Sequence, residues 1–273
     1  MKIIISESQL KQIIESEEKK EKLISFDAST FLKQYNTILK KYKSKEEDLD
    51  GIKIKGNLDL TELDLEDIEK ILNEVVVVTG YLNLAQIPIT SLGKLKIVGE
   101  ELYLPNCKKL TSLDNLTEVG NDLFISNTAI TSLGNLKKIG GTLKLSNNTT
   151  IESLGELKEV GYDLILDGTE LDSLDNLESV GYDLILTGSS IKSLGKLKKV
   201  GINLNLKNTP IESLGELEYV GGNLNLTNTN ISSFGKLKEV GSGLFIGNTP
   251  LSDMSDEDIK NQINVGIKIN RAY

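Results

Sequence analysis

The chain has 273 residues, enough for one large domain or two small ones, and its 38% hydrophobic and 26% charged content describes a folded, water-compatible protein. Forty acidic against 31 basic side chains leave a net charge of −9, which repels a phosphate backbone unless the basic groups gather on one face, and no such gathering is present. Histidine is absent and Cys107 is the sole cysteine, so an internal disulfide, a Cys/His zinc site and any triad built on an imidazole base are excluded.

In chain order, Met1-Lys2-Ile3-Ile4-Ile5-Ser6-Glu7 has too short an apolar run for a signal peptide. No stretch reaches the roughly 18 apolar residues of a membrane span. The expected location is the cytoplasm, with a virus particle as the alternative. Residues 26 to 42 place Phe31, Tyr35, Ile38, Leu39 and Tyr42 on one helical face, with Asp27 or Ser29 as N-cap. Two degenerate repeats, at Gly56 to Leu60 and Gly80 to Leu84, bracket a further helix over 62 to 74.

Eight copies of Ser-Leu-Gly/Asp-x-Leu-x-x-Val/Ile-Gly then begin at Ser91, Ser112, Ser132, Ser153, Ser173, Ser193, Ser213 and Ser233, each 20 or 21 residues after the last; only Phe234 replaces the Leu. Each copy leads into a Leu-x-Leu segment such as Leu204-Asn205-Leu206. One column is always glycine, from Gly99 and Gly120 to Gly241. A second is Gly or Asp, from Gly93 and Asp114 to Gly235, and a third is Asn or Gly, from Asn106 and Asn127 (with Asn147) to Asn248. Gly, Asn and Asp enter left-handed conformations at low cost, so the expectation is three such corners per repeat. Leu204, Leu206, Ile211, Leu214, Leu217 and Val220 would then share one interior. A lone coil buries too few aliphatics to offset the ordering of its backbone, so coils must stack. Ser255-Asp256-Glu257-Asp258 opens a short helix on a capping-box variant, and Val265 to Asn270 adds a last strand. The predicted divisions are 1 to 50, a tag and helical cap; 51 to 250, about ten coils; and 251 to 273, a C-terminal cap.

Val-Gly-x-x-Leu-x-Leu-x-Asn-Thr-x-Ile-x-Ser-Leu, as at Val200 to Leu214, resembles the leucine-rich-repeat signature, and with its glycine and Ser-Leu-Gly corner it is similar to the receptor L-domain repeat. The expected fold is mainly β: a right-handed parallel β-solenoid of that kind, with coils of about 20 residues and short α-helical caps. The resemblance implies a protein that presents surfaces to other proteins. Ile3 to Leu10, followed by Ile13-Ile14-Glu15, is similar to N-terminal tags on tailed-phage head proteins, which implies packaged cargo as the alternative.

The middle of the Leu-x-Leu strand points outward and reads Asn83, Tyr103, Phe124, Lys144, Ile165, Ile185, Asn205, Asn225 and Phe245. Tyr103 with Phe124, and Ile165 with Ile185, make apolar stripes on adjacent coils, the second flanked by Tyr162 and Tyr182. Asp163, Asp167 and Asp183 are expected as neighbours, with Asp122 two coils away; a carbohydrate-active β-helix using them is the remaining enzymatic reading, against solvated edge carboxylates. The expected partner-binding set is Tyr103, Phe124, Tyr162, Asp163, Ile165, Tyr182, Asp183 and Ile185. Cys107 reads as a small, partly buried filler, and Lys196, Lys198 and Lys199 as a cluster neutralised by Glu216 and Glu218. Asn-x-Ser/Thr triplets at Asn115, Asn147, Asn148, Asn225 and Asn230 follow from composition. The reading is therefore a non-enzymatic protein-binding or scaffolding solenoid with a protein partner, no nucleic acid, no membrane, no metal and no cofactor.

Overall fold

A computed structural model describes residues 23–43, 50–145 and 150–272. The described chain is mainly β, a parallel solenoid with three short helices, and it divides into two compact units. The N-terminal unit runs to Ile130 and includes Asn135–Gly141; the C-terminal unit holds Thr131–Gly134 and continues from Thr142.

In the N-terminal unit one sheet stacks Leu23–Asp27, Gly51–Lys55, Val75–Val78, Ile97–Val98, Glu118–Val119 and Lys138–Ile139, each parallel to the next. The other stacks Leu58–Asp59, Leu82–Asn83, Leu102–Tyr103 and Leu123–Phe124. The register slips between Ile52 and Lys53, where Val76 is the extra residue, and this bulge is part of what makes the early repeats irregular. The C-terminal unit repeats the plan, from Glu159–Val160 to Asn264–Val265 in one sheet and from Leu143–Lys144 to Lys268–Asn270 in the other. Leu204, Leu206, Ile211, Leu214, Leu217 and Val220 are all buried, as is Phe234. The Leu-x-Leu alternation thus sends both leucines inward and the residue between them outward.

Two of the three corner columns are left-handed as expected: φ is 60° at Asn208 and 59° at Asn228, and 50° at Asp175 and 57° at Gly215. The always-glycine column is not. The chain bends there, but Gly120, Gly181, Gly201 and Gly241 lie outside the left-handed region, and their reason for being glycine is contact. A Cβ on Gly201 would sit 1.8 Å from the Gly181 carbonyl oxygen, and one on Gly120 would sit 1.9 Å from that of Gly99. Glycine here lets one coil settle on the next.

Helix α1, Ala28–Lys43, buries Phe31, Ile38 and Leu39. Phe26 and Asp27 are taken into the strand paired with Gly51–Lys55, so Asp27 lies just before the first helical residue, where one of the two expected N-caps would be, and Ser29 lies within the helix. The Tyr42 side chain lies outside the described residues. Helix α2, Leu65–Leu72, is capped by Asp64, whose carboxylate accepts from the Asp67 N–H at 2.9 Å. The Tyr35 hydroxyl donates to the Asp67 carboxylate and so ties α1 to α2. At the far end, α3, Asp256–Gln262, is capped by Ser255 as predicted, its Oγ accepting from the Asp258 N–H at 3.1 Å; the Asp258 carboxylate accepts from the Ser255 hydroxyl at 2.7 Å, where a capping box would have it take the Ser255 N–H. The segment expected as one last strand is two, Asn264–Val265 and Lys268–Asn270, which extend both sheets of the unit.

Candidate outward binding faces

The repeat's polar residues are explained first by the coil itself. In six of the eight motifs the opening serine accepts from the N–H two residues on, as Ser193 does from Gly195 at 3.0 Å and Ser213 from Gly215 at 3.1 Å. Asp175 does more than tolerate its corner: its Oδ2 accepts from Ser153 Oγ at 2.7 Å and from the Leu154 N–H at 2.9 Å, stapling one coil to the previous one. Asp114 does the same to Ser91 and Leu92 in the N-terminal unit. The Thr/Ser column after the third corner is buried, each hydroxyl donating to the carbonyl three residues back, as Thr209 does to Leu206 at 2.7 Å. Cys107 holds this column in its coil; it is fully buried rather than partly so, its Sγ lies 3.1 Å from the Leu84 carbonyl, and burial pushes its thiol pKa up.

Against that background the outward strand positions divide into two kinds. Asn83, Asn205 and Asn225 each turn their side-chain oxygen to the N–H two residues on, at 3.0 to 3.1 Å, and so serve their own backbone. Tyr103, Phe124, Ile165 and Ile185 lack the short side-chain oxygen that makes this bond. In the N-terminal unit the Tyr103 and Phe124 rings stack with centroids 4.9 Å apart and planes 8° from parallel, and Phe124 is 40% exposed. Tyr81 meets Tyr103 edge-on at 6.1 Å and 89°. In the C-terminal unit Ile165 and Ile185 are directly paired across adjacent strands, and Tyr162 stacks on Tyr182 at 4.9 Å.

Two apolar members lie outside the sequence pattern. Tyr81 was hidden because its coil lacks one residue between the glycine and Leu82. Ile202, 38% exposed, follows Gly201 just as Tyr162 follows Gly161 and Tyr182 follows Gly181, and that spacing was the available signal.

Asp163 and Asp183 are neighbours, as expected, and the contact is part of the fold. Asp163 Oδ1 accepts from the Asp183 N–H at 3.0 Å, and Asp183 Oδ1 accepts from both the backbone and the side-chain amide of Asn203 at 2.9 Å. Asn203 repeats this toward Asn223, whose Oδ1 takes the Gly243 N–H at 2.9 Å. Asp167 sits at the other end of its strand, beside the Gly168 corner, and Asp122 belongs to the N-terminal unit. Among the described residues no group of three or more Asp, Glu or Cys side chains is placed to hold a metal ion.

Glu216 and Glu218 lie on the coil next to the lysine cluster, as expected, and the Lys198 charge contributes to lowering the Glu218 carboxyl, while the direct ion pairs each join a lysine to a glutamate on the coil before it. Two of the three lysines reach back to the preceding coil, Lys198 to Glu178 at 3.9 Å and Lys196 to the Asn176 side chain at 2.7 Å. Glu216 and Glu218 are taken by Lys236 at 2.6 Å and Lys238 at 2.5 Å, and the Lys238 ammonium holds the Glu218 carboxyl below its usual range. Lys199 lies over the Tyr219 ring, 5.4 Å from its centroid.

Of the Asn-x-Ser/Thr triplets, Asn115 donates its amide to the Gly93 carbonyl at 2.9 Å and Asn225 caps Thr227, while Asn147 and Asn148 lie outside the described residues. The tag-like segment at residues 3 to 15 also lies outside them. No helix among the described residues is long and apolar enough to cross a membrane. Compared with protein-family models, with curated proteins and with solved structures, the chain matches none.

Proposed function

We propose that this chain is a non-enzymatic protein-binding or scaffolding solenoid whose outward strand positions engage a protein partner. The observation that carries the reading is the division of the outward column: Asn83, Asn205 and Asn225 serve the backbone, whereas Tyr103, Phe124, Ile165 and Ile185 spend the same position on exposed or half-buried apolar surface stacked on successive coils. Apolar side chains grouped on a rigid scaffold are what a docking partner needs, since no ordering cost falls on this side of the interface. Tyr162 and Tyr182 supply further aromatic surface to the C-terminal patch. Asp163 and Asp183 contribute mainly by holding its strands in register.

The test is partner capture from a lysate of the source by the wild-type chain, by Tyr103→Asp with Phe124→Asp, and by Ile165→Asp with Ile185→Asp. At least one pair is expected to lose the captured protein while the far-ultraviolet circular dichroism is unchanged. Capture that survives both pairs overturns the reading.

A further inference from the structure

Among the described residues, some outward rings meet a cation of the chain itself and others do not. In the C-terminal unit Lys199 lies over Tyr219 and Lys268 over Phe245, each 5.4 Å from the ring centroid, so the chain supplies its own cation to the ring face. In the N-terminal unit the charges that act on Tyr103, the middle ring of the ladder Tyr81, Tyr103, Phe124, are carboxylates. The Tyr103 phenol is pushed up by burial and then by the negative charges of Glu101 and Asp122. Glu101 is held in place there by the Asn121 side-chain amide, which donates to it at 2.8 Å. Ring surface and negative charge together are the chemistry that recognises ammonium and guanidinium groups, because the ring quadrupole and the carboxylates attract the same cation.

From this we propose that the Tyr81–Tyr103–Phe124 ladder, with Glu101 and Asp122, is a docking surface for an extended segment of a partner protein that carries arginine or lysine. The proposal rests on the protein-binding reading above and adds the partner's chemistry. The exposed Phe124 ring is the central contact, Tyr103 supports it from behind, and the carboxylates set the sign of the charge accepted. Steering by the net charge of −9 adds to the on-rate for such a segment but does not choose this face.

The experiment is fluorescence anisotropy of the full chain with labelled ten-residue peptides of alternating Arg-Ser, Lys-Ser, Gln-Ser and Glu-Ser. The Arg and Lys peptides are expected to bind, with affinity lowered about fivefold by Phe124→Ala and about threefold by Glu101→Gln. Phe124→Leu, which keeps the bulk and removes the ring, is expected to match Phe124→Ala and covers any folding defect in the latter. Asp172→Asn, an equal change of net charge in the C-terminal unit, is expected to leave binding unchanged. Equal weakening by Asp172→Asn and Glu101→Gln, with both Phe124 variants inert, means attraction to net charge alone and overturns the proposal. Failure of the Arg and Lys peptides to bind also overturns it. Neither result touches the broader reading, which stands or falls on the capture assay: a native partner lost with Phe124→Asp but docking through a neutral or acidic segment, a sugar, or a second copy of this chain refutes only the cationic assignment.

Discussion

Two corners of the coil carry glycine for opposite reasons. At the corner that includes Gly181, Gly201 and Gly241 the backbone is unremarkable in φ, but the coil beneath is so close that no side chain fits. At the corner that includes Gly195, Gly215 and Asp175 the backbone is left-handed throughout; a Cβ on Gly215 would meet nothing within 4 Å, whereas one on Gly195 would sit 2.4 Å from the Asp175 carbonyl oxygen. The first is a matter of stacking; the second is one of torsion at every coil, with close stacking added at some, as at Gly155 and Gly195. The same letter in two columns thus reports inter-coil contact in one and local conformation in the other, and only the torsional column admits Asp.

Exchanging residues between the corners separates the two causes. Gly201→Ala places its Cβ 1.8 Å from a backbone oxygen that cannot move without shifting the coil, so a loss above about 3 kcal/mol, or failure to fold, is expected in urea denaturation. Gly215→Ala meets only the torsional penalty of about 1 to 2 kcal/mol, and Gly215→Asn less than that. Equal losses at the two positions would end the distinction. Asp175→Gly keeps the torsion and removes the bonds to Ser153 and Leu154, for an expected loss of about 1 kcal/mol. No loss would mean that the aspartate is there for its conformation alone.

The third corner adds a pH test. Burial raises the Cys107 thiol pKa above its ordinary value of 9.0, so the folded state favours the neutral thiol. The associated stability is fully present below about pH 9 and is lost as pH rises from there through the folded pKa, because the unfolded chain releases the proton first. Cys107→Thr puts in this position the residue found at Thr128, Thr169 and Thr209, and is expected to decline less above pH 9 than the wild-type chain. Parallel alkaline declines would show that the thiol titrates freely.

The period, the strand alternation, the caps and two of the three corners are legible in the sequence because each follows from local rules: β alternation, Asn and Gly torsions, a Ser-x-x-Asp helix start. What is not legible depends on the neighbouring coil. The reason for Gly201 lies in the oxygen of Gly181, twenty residues away, and no local rule distinguishes it from Gly195. That Glu216 and Glu218 sit beside the lysine cluster is legible from the period, but their direct partners, Lys236 and Lys238, depend on which way lysine side chains lean between coils. The outward stripes at Tyr103 with Phe124 and at Ile165 with Ile185 were readable as spacing, whereas the ladder role of Asp163 and Asp183 needs the backbone N–H they meet.

The smallest expected effect sits one residue from the largest. Ile202 follows Gly201 directly, yet its side chain leaves the stack and is 38% exposed. Its N–H donates to the Tyr182 carbonyl at 3.0 Å, a bond that any residue but proline keeps. Ile202→Ser therefore is expected to change stability by no more than about 0.5 kcal/mol, the usual range for a surface site that holds no special contact. A larger loss would mean that the bend itself, and not only the glycine, is fixed by packing, and the contrast between the two corners would narrow. Unchanged stability with weakened partner capture would instead extend the C-terminal patch from Tyr162 and Tyr182 to the next coil, since the same position after the glycine carries all three side chains.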